Sequence, residues 1–465
     1  MGTAKNMTLL AINWANVGLQ VFYLILSLSI LVILHEFGHF ITAKWFGCRV
    51  EKFYLFFDPW FSLFKKKIGE TEYGVGWLPL GGYVKISGMI DESMDKEAMK
   101  LPPQQHEFRS KPAWQRLIIM LGGVIVNVLL AFLIYAMVLF VWGEQKVPVA
   151  SVKNGIWVQD SVLYDLKLRN GDKITAVDGK TIEYFEDIQP KLLLAKNITI
   201  ERDGQSSNVE FPVNFIERLV ESKRRTGSLL MQRIPPYIGE YGPKDTANGK
   251  KAGLQPMDRI TGIDSLPVVF YDDMTAILAG KKNKSVNLQV ERKGAPLTLK
   301  AMVNADGKIG LPPLSLDQYD SLGVFKIDRK KYGFFEAFPA GISLALGKLK
   351  FYIDQFKLIL NPETGAYKGL GGFKAMGSIF PTEWGEWEAF WRITGFLSII
   401  LAFMNLLPIP ALDGGHVVFT LVEMISGRKP SDKFLEYAQV VGMVLLLGLM
   451  LFANGNDWFG WGKGK

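Results

Sequence analysis

Two histidines four residues apart with a glutamate beside the first, His35-Glu36-Phe37-Gly38-His39, are the side chains of this sequence best suited to do chemistry. On a helix, positions i and i+4 share a face, so both imidazoles can hold one Zn²⁺ while Glu36 reaches a water on that metal. The H-E-x-x-H pattern alone is moderately specific, and its place sharpens it. It lies in an apolar run that starts near Val17 and continues through Phe40. Ionisable groups in such a run are costly in lipid and call for a function. The bland alternative, three polar groups satisfied by neighbouring helices, must explain why all three sit in lipid.

Catalytic zinc takes three protein ligands and leaves a fourth position to water, so a third ligand is expected elsewhere. Asn405-Leu-Leu-Pro-Ile-Pro-Ala-Leu-Asp413-Gly414 breaks an apolar run with Pro408 and Pro410 and then presents Asp413. Such prolines free backbone carbonyls, which is tolerated at membrane depth only where protein or a water-filled cavity satisfies them. Asp413 is then either the partner of a bound metal or the N-cap of a helix from Gly414 to Ser426. His416, three residues further on, reads as support for a site rather than a ligand. His106, in a Pro-rich loop, reads as solvated. The single cysteine, Cys48, excludes an intrachain disulfide and any multi-cysteine metal site, and reads as a packed thiol. Asn127, four residues after Gly123, either polarises the site or packs through a small-residue contact.

The elements that must position these residues follow from composition. The chain has 465 residues, 49% hydrophobic and 12% aromatic, yet 21% charged. With a mean hydropathy of +0.15, this is a mixture of lipid-embedded and water-exposed parts. Four runs are apolar enough to cross a bilayer: Val17 to Phe40, Leu117 to Trp142, Ile393 to Leu412 and about Ala438 to Ala453. The first has no basic segment immediately before it and no small-residue cleavage site, so it is read as a retained span. The net charge of +8 does not indicate nucleic acid, because excess Lys and Arg are what cytoplasmic loops carry. Twelve basic residues between the first two spans, from Lys44 to Arg116, and Arg428, Lys429 and Lys433 between the last two predict that both loops are cytoplasmic.

The long connection, about Gly143 to Arg392, contains a repeat. Asn170–Gly179 aligns with Pro256–Ser265 at an offset of 86, and Ile200–Gly204 with Val290–Gly294 at an offset of 90. Two copies of one small β-rich module, differing by a four-residue insertion, account for both offsets. Each reads as a turn, a strand, an Asp-Gly or Asp-Ser hairpin, a helical stretch and a final strand, which resembles tandem PDZ domains. Aromatics from Phe334 to Trp391 predict amphipathic helices on the outer membrane surface.

Taken in order, Gly123-x-x-x-Asn127, the His35-Glu36-x-x-His39 motif and the Asn405-x-x-Pro-x-Pro-x-Leu-Asp413-Gly414 run resemble the site-2 protease family of intramembrane zinc metalloproteases. The paired modules make the chain similar to its bacterial regulator-of-sigma-E protease branch, and the resemblance covers essentially the whole sequence. It implies that His35, His39 and Asp413 bind zinc, that Glu36 is the general base and that Asn405 holds the substrate backbone. The segment Glu72–Lys85 matches the family's membrane-associated β-hairpin region, so Gly74, Val75 and Gly76 are expected on an edge that pairs with an unwound substrate as an added strand. Asn127 is expected beside the substrate as well. The implied partners are single-pass membrane proteins, such as trimmed anti-sigma factors or remnant signal peptides, with membrane lipid around the spans and peptide segments at the PDZ-like modules.

The expected fold is thus a polytopic α-helical membrane protein with four transmembrane helices, a membrane-associated β-hairpin and two PDZ-like domains. Residues 1–147 hold the first two spans, 148–235 and 236–325 the two modules, 326–390 the amphipathic helices and 391–465 the last two spans. The implied setting is the bacterial inner membrane, with the active site toward the cytoplasm and the modules in the periplasm, where they act as a size filter. A non-catalytic scaffold would have no need for Glu36. A transporter would be expected to show two interrupted helices, and only one span is broken by proline.

Overall fold

The computed structural model describes residues 14–79, 81–89, 102–222, 228–242 and 245–462. They form two compact units: Met1–Gly143, Lys331–Lys357 and Tyr367–Lys465 make one, and Glu144–Lys330 with Leu358–Ala366 the other. Lys96 and Lys100 of the basic loop lie outside the described residues.

Among the described residues the first unit holds four helices long and apolar enough to cross a membrane: α1 (Trp14–Trp45), α2 (Ala113–Val141), and two that come after α3 (Phe334–Leu360) and the short α4 (Phe373–Ser378), namely α5 (Trp387–Leu406) and α7 (Asp432–Phe459). Between the last two lies α6 (Asp413–Ser426). The third span lies earlier in the chain than its hydropathy suggests, starting and ending six residues sooner at the same length. A residue before proline is pushed to extended backbone, and Leu407, at ψ 144°, ends α5 one residue before Pro408. The fourth is longer, because polar residues at its end find backbone partners: Asp457 accepts from the N–H groups of Gly372 and Ala375 at 2.8 and 3.0 Å, and Asn456 donates to the carbonyls of Lys368 and Leu370. Helix α3 packs its small stripe, Ala337, Gly341 and Ala345, into the unit. A Cβ on Gly341 would strike the backbone of α2 at Ala136. This is close small-residue packing rather than a helix resting free on a surface.

Between α1 and α2 the chain makes a four-stranded sheet, β1 (Val50–Leu55), β2 (Phe64–Ile68), β3 (Thr71–Val75) and β4 (Tyr83–Ile86), in the order β2-β3-β1-β4. The segment Glu72–Lys85, expected as a hairpin, supplies β3 and β4, which do not pair with each other: β3 forms a hairpin with β2 and runs parallel to β1, and β1 separates it from β4. The sheet lies against α1 at Gly82, where a Cβ would sit 2.7 Å from Val32 and 3.3 Å from Glu36.

The second unit contains the repeat in duplicate detail. Strands β5 (Lys173–Val177), β6 (Lys180–Thr181), β7 (Asn197–Arg202) and β8 (Gln205–Glu210) form a sheet of order β8-β7-β5-β6. Strands β9 (Arg259–Ile263), β10 (Leu266–Pro267), β11 (Ser285–Arg292) and β12 (Ala295–Met302) form one of order β12-β11-β9-β10. Both carry a register shift at the same place, between Ile174 and Ala176 and between Ile260 and Gly262. Each copy buries one aspartate under an arginine: Asp172 with Arg202 at 2.6 Å, and Asp258 with Arg292 at 2.7 Å. A buried carboxylate needs such a cation, so repetition of the pair is stronger evidence of duplication than the sequence match. The copies do not end where expected, however. Leu314, Tyr319 and Phe325, within the range expected for the second copy, and Ile327 just beyond it pack into the core of the first.

Candidate metal centre

The chemistry-bearing residues converge because glycines let helices touch. A Cβ on Gly38 of α1 would collide with the backbone of Gly122, and one on Gly122 with Gly38, so α1 and α2 meet backbone to backbone. Beside this crossing, a Cβ on Gly123 would lie 2.5 Å from His39 Nε2 and 2.6 Å from His35 Cε1. Both imidazoles therefore rest on the bare face of α2 and are buried, at 7% and 4% exposure.

Asp413 arrives from the other side. The Pro-broken loop returns the chain through Ala411, held at φ 80°, a left-handed conformation that costs a non-glycine residue about 1–2 kcal/mol. It then starts α6 on Gly414 and Gly415, whose Cβ positions are filled by carbonyls of Leu407 and Ile409. The N-cap of α6 is Leu412, with no side-chain cap, which removes the capping alternative for Asp413. Asp413 Oδ2 instead lies 3.2 Å from His35 Nε2 and 3.3 Å from His39 Nε2, and the two nitrogens are 3.3 Å apart. Four ligands at about 2.0 Å from one centre stand about 3.3 Å from one another in a tetrahedron. These three atoms therefore fit one face of a tetrahedral zinc site. Oδ2 is also buried and makes no hydrogen bond among the described residues, which suits an atom whose partner is a cation.

The imidazole tautomers agree with this. His39 Nδ1 donates to the Ile119 carbonyl at 2.8 Å, which leaves Nε2 with its lone pair free. Asn127 is fully buried, with one end of its amide 3.0 Å from His35 Nδ1. The two ends of an amide are nearly the same size, so hydrogen-bond chemistry decides its orientation. With the nitrogen toward His35, Nδ1 must accept and the proton of the neutral ring falls on Nε2, the atom that faces Asp413. Turned round, the oxygen accepts from Nδ1–H and Nε2 faces the metal position. Asn127 thus supports His35 and does not line the cavity, contrary to the expected place beside substrate. Asn127→Leu, which is similar in size, is expected to weaken zinc binding by about 10–100-fold with the fold kept, as read by chelator competition on the purified protein. Unchanged affinity would reduce Asn127 to packing.

Glu36 opens with His35, His39 and Asp413 onto a cavity of about 620 Å³. Its carboxylate accepts a hydrogen bond from the backbone of Val84, and Gly82 through Ile86 line the same cavity. The strand edge next to the centre is therefore that of β4. Gly74 and Val75 belong to β3, which is paired on both sides, and Gly76 donates to Leu55. Their glycines serve packing: a Cβ on Gly74 would enter the Tyr54 ring, and one on Gly76 would meet Phe57. Asn405, expected to hold the substrate backbone, has its amide nitrogen 3.2 Å from His35 Nε2. His416 lines the cavity without joining the three donor atoms. Cys48 is buried among Ala43, Val50 and Ile119, and burial pushes its thiol up, so it packs and stays protonated. Sequence reasoning missed Gly38, Gly122 and the Ile119 carbonyl; the tandem glycine inside an apolar run was the available signal.

Comparison with known proteins agrees. A family model described as Peptidase family M50 matches residues 23–449. The chain is 28% identical over 460 residues to the Regulator of sigma-E protease RseP of Escherichia coli (strain K12), covering 93% of this chain and 97% of that one. It is 27% identical over 455 residues to the Metalloprotease MmpA of Caulobacter vibrioides, covering 93% and 94%. A Xylella fastidiosa (strain Temecula1) relative, whose name is that of a zinc metalloprotease, is 27% identical over 95% of this chain and 99% of its own.

Proposed function

This chain belongs to peptidase family M50, and we propose that it cuts single-pass membrane proteins within their membrane segment. It is a zinc metalloprotease and a multi-pass membrane protein. The observation that carries the reading is one cavity on which the three donor atoms, Glu36 and the β4 edge all open.

His35, His39 and Asp413 hold the zinc, which when bound supplies a Lewis acid for the scissile carbonyl and makes water acidic enough to react. Glu36 takes the proton of the attacking water on its carboxylate and returns it to the leaving amide nitrogen. The Val84 N–H keeps that carboxylate turned to the cavity. A helix hides its own amides, so a membrane segment must be extended before it is cut, and its exposed amides then need partners in lipid. An extended substrate laid along β4 would find them and pass directly beside Glu36. Asn405, at the rim of the centre, holds the substrate backbone.

The two repeated modules are PDZ-like and act as a size filter that excludes untrimmed substrates, with peptide segments as their ligands. Basic residues between α1 and α2 and between α6 and α7 favour a cytoplasmic active site in a bacterial inner membrane. The reading is tested by quantitative proteomics of membrane fractions from cells carrying the native chain or Glu36→Gln. Single-pass proteins trimmed on one side should accumulate only with the variant. If no membrane stub rises, the substrate class is wrong.

A further inference from the structure

Helix α6 brings Asp413 to the centre by packing one side along α2, with Val417 in the core beside Ile119 and Met120. Its buried residues are Gly414, Gly415, Val417 and Thr420, while Val418, Leu421, Val422, Met424 and Ile425 are exposed. The two glycines seat its first turn on the preceding loop but offer no side chain to resist rotation about the helix axis. Fourteen residues make a rod about 21 Å long, so its direction needs a second fixed point far from Asp413. Glu423, in the last turn, supplies one. It accepts a hydrogen bond from Arg116 at 2.5 Å, and the two side chains are only 18% and 10% exposed. Arg116 is itself held, donating through Nε to the Lys111 carbonyl at 3.0 Å.

The partner helix is α2. One turn beyond Arg116 it presents the Ile119 carbonyl that orients His39, and one further turn on comes Gly123, on which both imidazoles rest. The pair thus joins the helix that seats two of the donor atoms to the helix that carries the third. Metal sites tolerate roughly 0.5 Å of misplacement before geometry fails, so a small slide or turn of α6 along α2, once its far end is released, is enough to lose the ligand geometry.

We infer that Arg116 and Glu423 are positioning residues that fix the orientation of α6 and so keep Asp413 Oδ2 within reach of both imidazoles. The inference rests on the zinc reading above. It concerns neither proton transfer nor substrate contact, and it predicts a defect in metal affinity rather than in chemistry.

The test uses the full-length protein purified in detergent, with zinc affinity measured by competition with a chromogenic chelator and unfolding followed in parallel. Glu423→Gln and Arg116→Gln should each bind zinc about 10–100-fold more weakly while the folded fraction stays intact, and excess zinc should restore most of their cleavage. Glu423→Asp and Arg116→Lys, which keep the charges, should recover much of the affinity. Variants that melt earlier but bind zinc as tightly as the native chain would overturn the inference and leave a purely structural ion pair. Should either single variant not fold, the neutral pair Arg116→Gln with Glu423→Gln, which leaves no unpaired charge, decides: native zinc affinity in it overturns the inference as well. A native chain that binds no zinc would instead sink the metal reading on which the inference stands.

Discussion

Glu36→Gln is expected to abolish peptide cleavage, by about 10³–10⁴-fold, while leaving zinc content at the native level. The magnitude follows from one carboxylate serving both proton transfers, at the upper end of what general acid–base catalysis contributes. The selectivity follows from the geometry. Glu36 borders the cavity and bonds to Val84, whereas the triangle of donor atoms is made by His35, His39 and Asp413. Glutamine is isosteric and keeps an acceptor for the Val84 N–H, so sheet and helix should stay as they are. Steady-state cleavage of a fluorescent single-pass substrate, together with elemental analysis of the same preparation, checks both halves. Native turnover would remove Glu36 from the mechanism, and lost zinc would place it in the ligand set.

Asp413→Ala is expected to empty the centre. Partners outside a ligand set already cost 10–100-fold in metal affinity, so loss of one of three donors should cost more than about 100-fold, and activity should fall with zinc content. The alternative role, capping α6, predicts instead a loss of about 1 kcal/mol in stability with the metal retained. The structure separates the two in advance, because the cap position is Leu412 and Asp413 Oδ2 makes no hydrogen bond among the described residues. Zinc measured by atomic spectroscopy after gel filtration decides the matter, and stoichiometric metal in the folded variant would exclude Asp413 as a ligand.

Much of this centre was legible in one dimension. The i, i+4 spacing of His35 and His39 places both on one helical face whatever surrounds them, and polar residues in apolar runs are rare enough to stand out. The repeat was equally plain, since Asp172 and Asp258 with their arginines recur at the spacing that the sequence match predicts. Partners distant along the chain were not legible. Gly74, Val75 and Gly76 have the composition of an exposed edge, yet β3 is enclosed because β1 pairs with it from outside the hairpin. No local pattern encodes which strand a sheet leaves open. Asn127 could polarise the site, pack beside Gly123 or stand next to substrate as far as the sequence goes; its place 3.0 Å from His35 Nδ1 is a tertiary fact.

The sequence by itself determined the chemistry on offer: two imidazoles, a carboxylate base and a second carboxylate after a proline break, carried by four apolar spans and a duplicated β module. These follow from residue type and period, which are local properties. Only the tertiary structure decided that Asp413 stands over the histidines, that β4 borders them, that Asn127 supports rather than binds, and that a distant ion pair steadies α6. Those are consequences of glycine-permitted contact between helices and of strand order, both of which depend on residues far apart in the chain meeting in space.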